Sequence, residues 1–134
     1  MEHALIDGSC CCEAVKFTLS ATPKFLGICH CSRCRKLGTS EFVMVTADSL
    51  KWISGQEFVT EFLPEPYFKY KRCFCNKCGS SLGEILSTEK EFPIAANTLN
   101  SDPGLKVWFH EHTASKPSWQ LIHEGATLFE GDPG

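Results

Sequence analysis

The sequence predicts an all-β domain. Apolar residues alternate with a period of two in several short segments, which is typical of strands with one buried face. No segment carries a long apolar stripe at the 3.6-residue spacing of a helix, and only residues 35–40 are expected to form a short helical turn. With 134 residues, of which 43% are hydrophobic, the chain can bury one core but not two. We therefore expect a single domain over residues 1–134.

The predicted strands are short and are separated by turn residues. Strand-like alternation, or enrichment in aromatic and β-branched side chains, occurs at residues 15–19, 58–62 and 68–71. Glycine and proline then mark breaks at Gly55, over residues 63–66 and over residues 100–104. Connections of this length are typical of an all-β domain.

Nine cysteines have the spacing of metal ligands. They form a triplet at residues 10–12 and two C-x-C-x-x-C groups, at residues 29–34 and 73–78. A tetrahedral zinc ion with Zn–S bonds of about 2.3 Å needs sulfurs roughly 3.8 Å apart, and a C-x-x-C turn supplies one such edge. In an extended chain residues i and i+2 share a face, so each C-x-C pair can also converge on one ion. Zinc is the default ion, although all-thiolate ligation also suits iron–sulfur clusters.

Disulfide bonds and redox thiols explain these cysteines less well. The first ten residues contain no basic start, no apolar run and no cleavage-like site, so they do not resemble a secretion signal. A redox C-x-x-C is expected beside a βαβ pattern, which this sequence lacks. No apolar run approaches the length of a membrane helix. We expect a cytoplasmic protein without a membrane partner.

The charge of the chain argues against a nucleic-acid partner. The formal net charge is −3, and seven ligating thiolates on two divalent ions would add about three further negative charges. Proteins that bind nucleic acid usually show net positive charge or a basic stripe. The nearest candidate is the short group Arg33, Arg35 and Lys36, which is not enough to indicate such binding.

Nine cysteines exceed two four-thiolate sites by one. If residues 10–12 are extended, Cys11 faces away from Cys10 and Cys12, which makes it the expected spare. The remaining eight allow two closed sites, or one closed site and one open site with three thiolates. A closed site only builds the fold, whereas a catalytic zinc keeps one position for water or substrate. The spacing leaves this choice open.

Five motifs follow one another in a characteristic order. The first two are G-S-C-x-C from Gly8 and C-H-C-S-R-C-R-K-x-G from Cys29. They are followed by W-x-S-G from Trp52, F-C-x-x-C-G-S-x-L from Phe74 and H-x-H-x-x-S-K-x-x-W from His110. In these motifs the sequence resembles the glutathione-dependent formaldehyde-activating enzyme family, which also includes centromere protein V.

The resemblance covers residues 8–129 and implies both a fold and two zinc sites. The implied fold is a zinc-stapled arrangement of two antiparallel sheets, called a β-tent, which type B methionine sulfoxide reductases share. The ligands it implies for a structural zinc are Cys10, Cys12, Cys75 and Cys78. The ligands it implies for a second, catalytic zinc with an open position are Cys29, Cys31 and Cys34. Two zinc ions per chain are therefore expected.

Two residues depart from the family's usual pattern. Glu13 stands where glycine is common after the second cysteine, which raises a question about the local turn. Cys73 stands where a basic or variable residue is usual, and in a strand it shares a face with Cys75. It could compete for the structural ion or be a reactive thiol. We favour a bystander because C-x-x-C is the better chelate geometry.

The resemblance implies a carbon–sulfur lyase that works on an adduct of glutathione and an aldehyde. In the synthetic direction the glutathione thiol adds to formaldehyde and gives S-hydroxymethylglutathione, with the open zinc keeping the thiol deprotonated. Arg33, Arg35 and Lys36 are candidates to bind the glutathione carboxylates. The alternative is a non-catalytic zinc-stapled module that carries a thiol or binds a protein. The acidic charge balance argues against the protein-binding form.

The histidines and tryptophans have simpler interpretations than metal or substrate binding. His30 lies opposite the flanking cysteines in an extended chain, so we expect a packed or hydrogen-bonded side chain. His110 and His112 share a face, but the resemblance explains them as a late strand, and we do not expect a third zinc. Trp108 and Trp119 are expected in the core or at a rim.

Overall fold

A computed structural model describes residues 5–63, 66 and 71–133 of the chain. Within these residues, strands and short 3₁₀ turns make up nearly all of the regular structure, and the longest helix has five residues. The predicted all-β fold class is therefore confirmed. Most of the strand predicted at residues 68–71 and part of the loop predicted at residues 63–66 lie outside the described residues.

The described strands are short, with two to six residues each. In chain order they are β1 Ile6–Ser9, β2 Lys16–Leu19, β3 Phe25–Cys29, β4 Glu41–Thr46, β5 Leu50–Ser54, β6 Val59–Phe62, β7 Arg72–Cys75, β8 Ser81–Gly83, β9 Glu91–Ala95, β10 Val107–Glu111 and β11 Thr127–Leu128. The helix α1 spans Ser32–Lys36 and connects β3 to β4. The strands predicted at residues 15–19 and 58–62 are confirmed as β2 and β6.

The described strands form three sheets, whereas the resemblance implied two. Their orders are β1-β2-β5, β11-β10-β3-β4-β9 and β6-β7-β8. Most pairs are antiparallel, as the resemblance implies, but β10 runs parallel to both β3 and β11. A parallel pair needs a crossover rather than a hairpin, and the chain travels from Cys29 to Val107 before β10 joins β3. The alternation of buried and exposed residues is the same in parallel and antiparallel strands, so the sequence pattern could not predict the parallel pairs.

The core lies where the three sheets meet. Val15, Phe17 and Leu19, in and beside β2, are at most 1% exposed, which confirms the alternation read from the sequence. The neighbouring sheets contribute buried residues from β4, β7, β8 and β9: Val43, Val45, Cys73, Cys75, Leu82, Phe92 and Ile94. Two cysteines that the sequence assigns to the structural site, Cys10 and Cys75, are part of this core.

The helix begins earlier than predicted. We expected a turn over residues 35–40, after Cys34, whereas α1 already includes Cys34. Cys31 is the residue that caps the helix, because its sulfur accepts a hydrogen bond from the backbone N–H of Cys34 at 3.4 Å. A cysteine in the capping position stands outside the usual set of capping residues, which explains why the sequence did not reveal this start.

The turn between β1 and β2 forms despite the unusual glutamate. Glu13 adopts a positive φ of 64°, a left-handed conformation that favours glycine. Two backbone hydrogen bonds close the turn, from Cys10 N–H to Val15 O and from Glu13 N–H to Cys10 O, both at 3.1 Å. The question raised by Glu13 is therefore answered: the turn is kept, with a non-glycine residue in a strained conformation.

Candidate metal centres

Four cysteines form a closed cluster at the meeting point of two turns. The sulfurs of Cys10, Cys12, Cys75 and Cys78 all lie within 4.8 Å of one another. The distance from the Cys10 sulfur to the Cys12 sulfur is 3.6 Å, and that from the Cys12 sulfur to the Cys75 sulfur is 3.9 Å. Both distances are close to the edge of roughly 3.8 Å that a tetrahedral zinc–thiolate site needs. The side chains present fit a zinc ion.

The closed cluster joins the β1–β2 turn to the β7–β8 turn. Ser80 bridges the two, because its hydroxyl accepts from the backbone N–H of Cys11 at 2.9 Å and lies 3.2 Å from the Cys78 sulfur. The Ser80 hydroxyl and backbone N–H groups lower the pKa of the exposed Cys78 thiol to about 5. Cys10 and Cys75 are buried in the core, so this cluster is built into the fold.

Three further cysteines form an open cluster at the end of β3. The sulfurs of Cys29, Cys31 and Cys34 lie within 4.8 Å of one another, and among the described residues no fourth cysteine, histidine or carboxylate completes the group. Cys29 ends β3, and the other two cap and enter α1. Hydrogen bonds from the Cys29 and Cys34 thiols lower the pKa of Cys31. The three sulfurs are therefore close enough to interact directly with one another.

Arg72 lies beside the open cluster, although nothing in the cysteine spacing indicates it. Its guanidinium group donates a hydrogen bond to the Cys34 sulfur. Burial alone would lower the pKa of Arg72, but the negative charges of the three clustered sulfurs hold it above its usual value. Arg72 and Cys75 both belong to β7, so one strand reaches both clusters.

Glu111 is a second neighbour that sequence reasoning missed. It is the register partner of Cys29 in the parallel β3–β10 pair, and its carboxyl group hydrogen-bonds the Cys29 sulfur. Burial raises the pKa of this carboxyl group, while the hydrogen bond that it accepts from the Cys29 thiol acts in the opposite direction. Only the pairing of β10 with β3 brings Glu111 to the site.

The comparisons with known proteins identify a family and a similar fold. The family model described as "Glutathione-dependent formaldehyde-activating enzyme" matches residues 5–115, which is most of the chain. The chain belongs to this family. A solved structure of a Rhodobacter sphaeroides protein is similar in fold to this family member, with a TM-score of 0.58 and 20% sequence identity. The match covers 92% of this chain and 98% of that one. No curated protein matches the chain.

The basic residues predicted for substrate binding differ in their surroundings in this formaldehyde-activating enzyme family member. The guanidinium carbon of Arg33 lies 5.9 Å from the centre of the Phe62 ring. Arg35 is half-buried, and its Nε atom makes no hydrogen bond to any part of the chain that is described. Lys36 is exposed. Arg33 and Arg35 flank Cys34 in α1, so all three basic side chains start from the element that carries the open cluster.

Two cysteines lie outside both clusters of the family member. Cys11 is exposed, as expected for the spare residue of the triplet. Cys73 is only 3% exposed and packs in the core, and burial raises its pKa. A buried thiol with a raised pKa is a poor nucleophile at neutral pH, so these surroundings favour the bystander interpretation of Cys73 over a reactive thiol.

The histidines are placed partly as predicted. His30 is fully buried and its Nε2 atom lies 2.8 Å from Nδ1 of His110, which confirms a hydrogen-bonded side chain. His110 lies in the late strand β10, but His112 follows the end of that strand at a positive φ of 55°. The prediction that His110 and His112 share a strand face is therefore wrong. Within the described residues, no candidate metal group includes either histidine.

The tryptophans of the C-terminal motif region lie at the surface. Trp108 is 57% exposed and makes T-shaped ring contacts with Phe25 and Phe109, while Trp119 is 74% exposed. Neither tryptophan lies in the core, so the core alternative is wrong, and the rim alternative stays a prediction.

No helix among the described residues has the length and apolar character needed to cross a membrane.

Proposed function

We propose that the chain is a zinc-dependent carbon–sulfur lyase that forms S-hydroxymethylglutathione from glutathione and formaldehyde, or handles a closely related thiol adduct. The observation that carries this proposal is the open cluster of Cys29, Cys31 and Cys34, which gathers three sulfurs and no fourth ligand from the described residues. A closed site would leave no room for a substrate. The family membership supplies the reaction class.

The two clusters would divide the work between fold and chemistry. Cys10, Cys12, Cys75 and Cys78 are the proposed ligands of a structural zinc, and Cys29, Cys31 and Cys34 those of the catalytic one. When bound to the three thiolates, zinc would favour the deprotonated form of a substrate thiol near neutral pH. Cys29 and Cys34 are buried and Cys31 is half-buried, so the fold itself partly shields the site from water.

The proposed reaction is an addition that balances without a further reactant. The sulfur of glutathione forms a bond to the formaldehyde carbon, and the carbonyl π bond breaks. The proton released by the thiol ends on the new hydroxyl group. Holding both reactants at one place would supply most of the rate acceleration. The reverse reaction cleaves the carbon–sulfur bond, which makes the enzyme a lyase.

The basic residues around the open cluster support an anionic substrate. Glutathione carries two carboxylates, and Arg33, Arg35 and Lys36 are the proposed partners for them. Arg35 is the best placed of these, because a buried N–H donor is nearly always satisfied in a working protein and its Nε atom has no partner within the described chain. The acceptor that fits this donor is an oxygen of a bound carboxylate.

Arg72 supports the binding of a thiolate. Three cysteine thiolates on a divalent ion carry one net negative charge, so an additional anionic sulfur would be repelled. The guanidinium of Arg72, which hydrogen-bonds Cys34, brings one positive charge to the same place. The combined centre is then neutral before the substrate binds, and the cost of adding an anion is lower.

Calorimetry with glutathione and S-methylglutathione tests the proposal. Glutathione should bind to the zinc-replete protein near neutral pH and release a proton, which appears as a dependence of the binding heat on the buffer's ionisation enthalpy. S-methylglutathione cannot form a thiolate and should bind far more weakly. Formation of S-hydroxymethylglutathione should also be faster with the protein than without it.

Two results would count against the proposal. Equal binding of the two compounds, or no binding of either, would remove the glutathione assignment and favour a protein-interaction module. Thiol-dependent binding without any acceleration of adduct formation would instead favour a non-catalytic thiol carrier.

A further inference from the structure

Three histidines form a continuous series of hydrogen bonds that begins at His30, between two cysteines of the open cluster. The Nε2 atom of His30 lies 2.8 Å from Nδ1 of His110, and both side chains are fully buried. On its other side, the Nε2 atom of His110 lies 3.0 Å from the backbone nitrogen of His123. The ring of His123 approaches the same atom less closely, with its Nδ1 at 3.3 Å. This series of hydrogen bonds thus leads from His30, beside the open cluster, to the exposed loop that carries His123.

The backbone contact fixes the tautomer of each buried histidine. A backbone N–H can only donate, so Nε2 of His110 accepts and carries no proton. Neutral His110 then carries its proton on Nδ1 and donates it to Nε2 of His30. His30 must therefore hold its own proton on Nδ1.

These hydrogen bonds matter for the open cluster because His30 adjoins two of its cysteines. His30 lies between two cysteines of the open cluster, Cys29 and Cys31, and Nδ1 is the ring nitrogen nearer to the backbone that joins them. This Nδ1 atom is buried and has no hydrogen-bond partner among the described residues. The other end of the series, His123, lies beyond the residues 5–115 that the family model matches.

We propose that the loop carrying His123 positions the open cluster, by holding His110 and His30 in the Nδ1-protonated tautomer. The backbone N–H of His123 and the ring of His110 are positioning groups that act through His30. The inference rests on the proposed zinc site at Cys29, Cys31 and Cys34. It does not depend on glutathione as the substrate, so both tests below use metal and nitrogen signals alone.

Nitrogen NMR of the zinc-loaded full chain, labelled with ¹⁵N at histidine, tests the tautomers directly. His30 and His110 should each show a protonated Nδ1 and an unprotonated Nε2 at neutral pH. A proton on Nε2 of either ring would overturn the proposal. This result is independent of any variant and of any enzymatic activity.

Variants at position 123 test the positioning role. His123→Pro removes the backbone donor and should lower the zinc affinity of the open cluster by about tenfold, as loss of an outer partner of a metal site commonly does. His123→Ala keeps the N–H and serves as the matched control, with affinity close to that of the unchanged protein. The readout is chelator competition, which follows each of the two sites as it releases zinc.

A second variant separates this effect from general damage. His110→Phe keeps a ring in the buried space but removes the hydrogen bonds to His30 and His123. It should also lower the zinc affinity of the open cluster, while the closed cluster keeps its affinity. Equal behaviour of His123→Pro and His123→Ala, or equal weakening of both clusters, would overturn the proposal. If His110→Phe does not fold, the comparison of His123→Pro with His123→Ala and the NMR measurement of the tautomers still test the proposal. Failure to bind glutathione would leave all these results intact.

Discussion

At the scale of single residues, charge balance decides what the open cluster can accept. Three thiolates in one place repel one another and any further anion unless a cation stands nearby. Arg72 meets this need, since its guanidinium hydrogen-bonds Cys34 while the charges of Cys29 and Cys31 also act on it. An arginine is suited to the role because it stays charged even when partly buried.

Removal of this charge should weaken binding of a thiol. We expect Arg72→Gln to raise the Kd for glutathione about tenfold or more, since a hydrogen bond to a charged group is worth about 1.5–3 kcal/mol. Arg72→Lys keeps the charge and should recover part of the affinity. Calorimetry on zinc-replete protein measures both. Lys71→Gln is the control, because Lys71 is exposed and pairs with Glu61 at 3.8 Å. Unchanged affinity in Arg72→Gln would contradict this role.

The strained turn at Glu13 offers a stabilising substitution. We expect Glu13→Gly to raise the free energy of unfolding by about 0.5–1 kcal/mol, because glycine adopts a positive φ without the steric cost that a side chain carries. The ion pair lost with Lys16, at 3.9 Å and exposed, contributes little. Denaturant titration of zinc-replete protein measures the change. A loss of stability would show that the turn is unstrained.

An opposite substitution provides the control for the turn. Gly55 also has a positive φ, of 84°, and a Cβ atom there would lie 1.9 Å from the backbone oxygen of Ala14. Gly55→Ala should therefore destabilise the protein, because the backbone of the same β1–β2 region leaves no space.

At the scale of elements, the two clusters are connected to the fold in different ways. The closed cluster includes Cys10 and Cys75, which belong to the core where three sheets meet. It also joins two turns that are distant in sequence. The open cluster lies at the end of β3 and in α1, and its cysteines are not members of that core. Loss of each metal should therefore have a different result.

A pair of matched serine variants tests this division. Cys12→Ser should cost much of the folding stability, since binding of a structural zinc is part of the folding free energy of a small domain. Cys31→Ser should remain folded and lose thiol-dependent binding. Thermal unfolding followed by circular dichroism, together with glutathione titration, distinguishes the two. If Cys31→Ser unfolds as badly as Cys12→Ser, the assignment of one structural and one catalytic site fails.

At the scale of the whole molecule, we expect two zinc ions per chain with unequal affinity. Mild chelation should empty the open cluster first, because it has three ligands and its loss leaves the core intact. The closed cluster should release zinc only as the protein unfolds. Metal analysis during stepwise chelation measures both events. One ion or none in carefully reduced protein would contradict the prediction, and visible charge-transfer bands would indicate iron.

The sequence by itself determined the features that depend on local spacing. Alternation over residues 15–19 predicts a strand with one buried face, and Val15, Phe17 and Leu19 are buried accordingly. The short spacings within residues 10–12, 29–34 and 75–78 bring sulfurs together whatever the rest of the chain does. The extent of the domain, 1–134, stays a prediction. Periodicity and chelate geometry act over a few residues, so the sequence alone reveals them.

Only the tertiary structure decided which distant residues surround the open cluster. Arg72 reaches Cys34 from β7, Glu111 meets Cys29 because β10 pairs parallel to β3, and His123 reaches His30 through His110. None of these contacts joins residues at a short sequence spacing from which it could be predicted. They arise from the pairing of strands far apart in sequence, whose free energy is set by the burial of the whole core rather than by neighbouring residues.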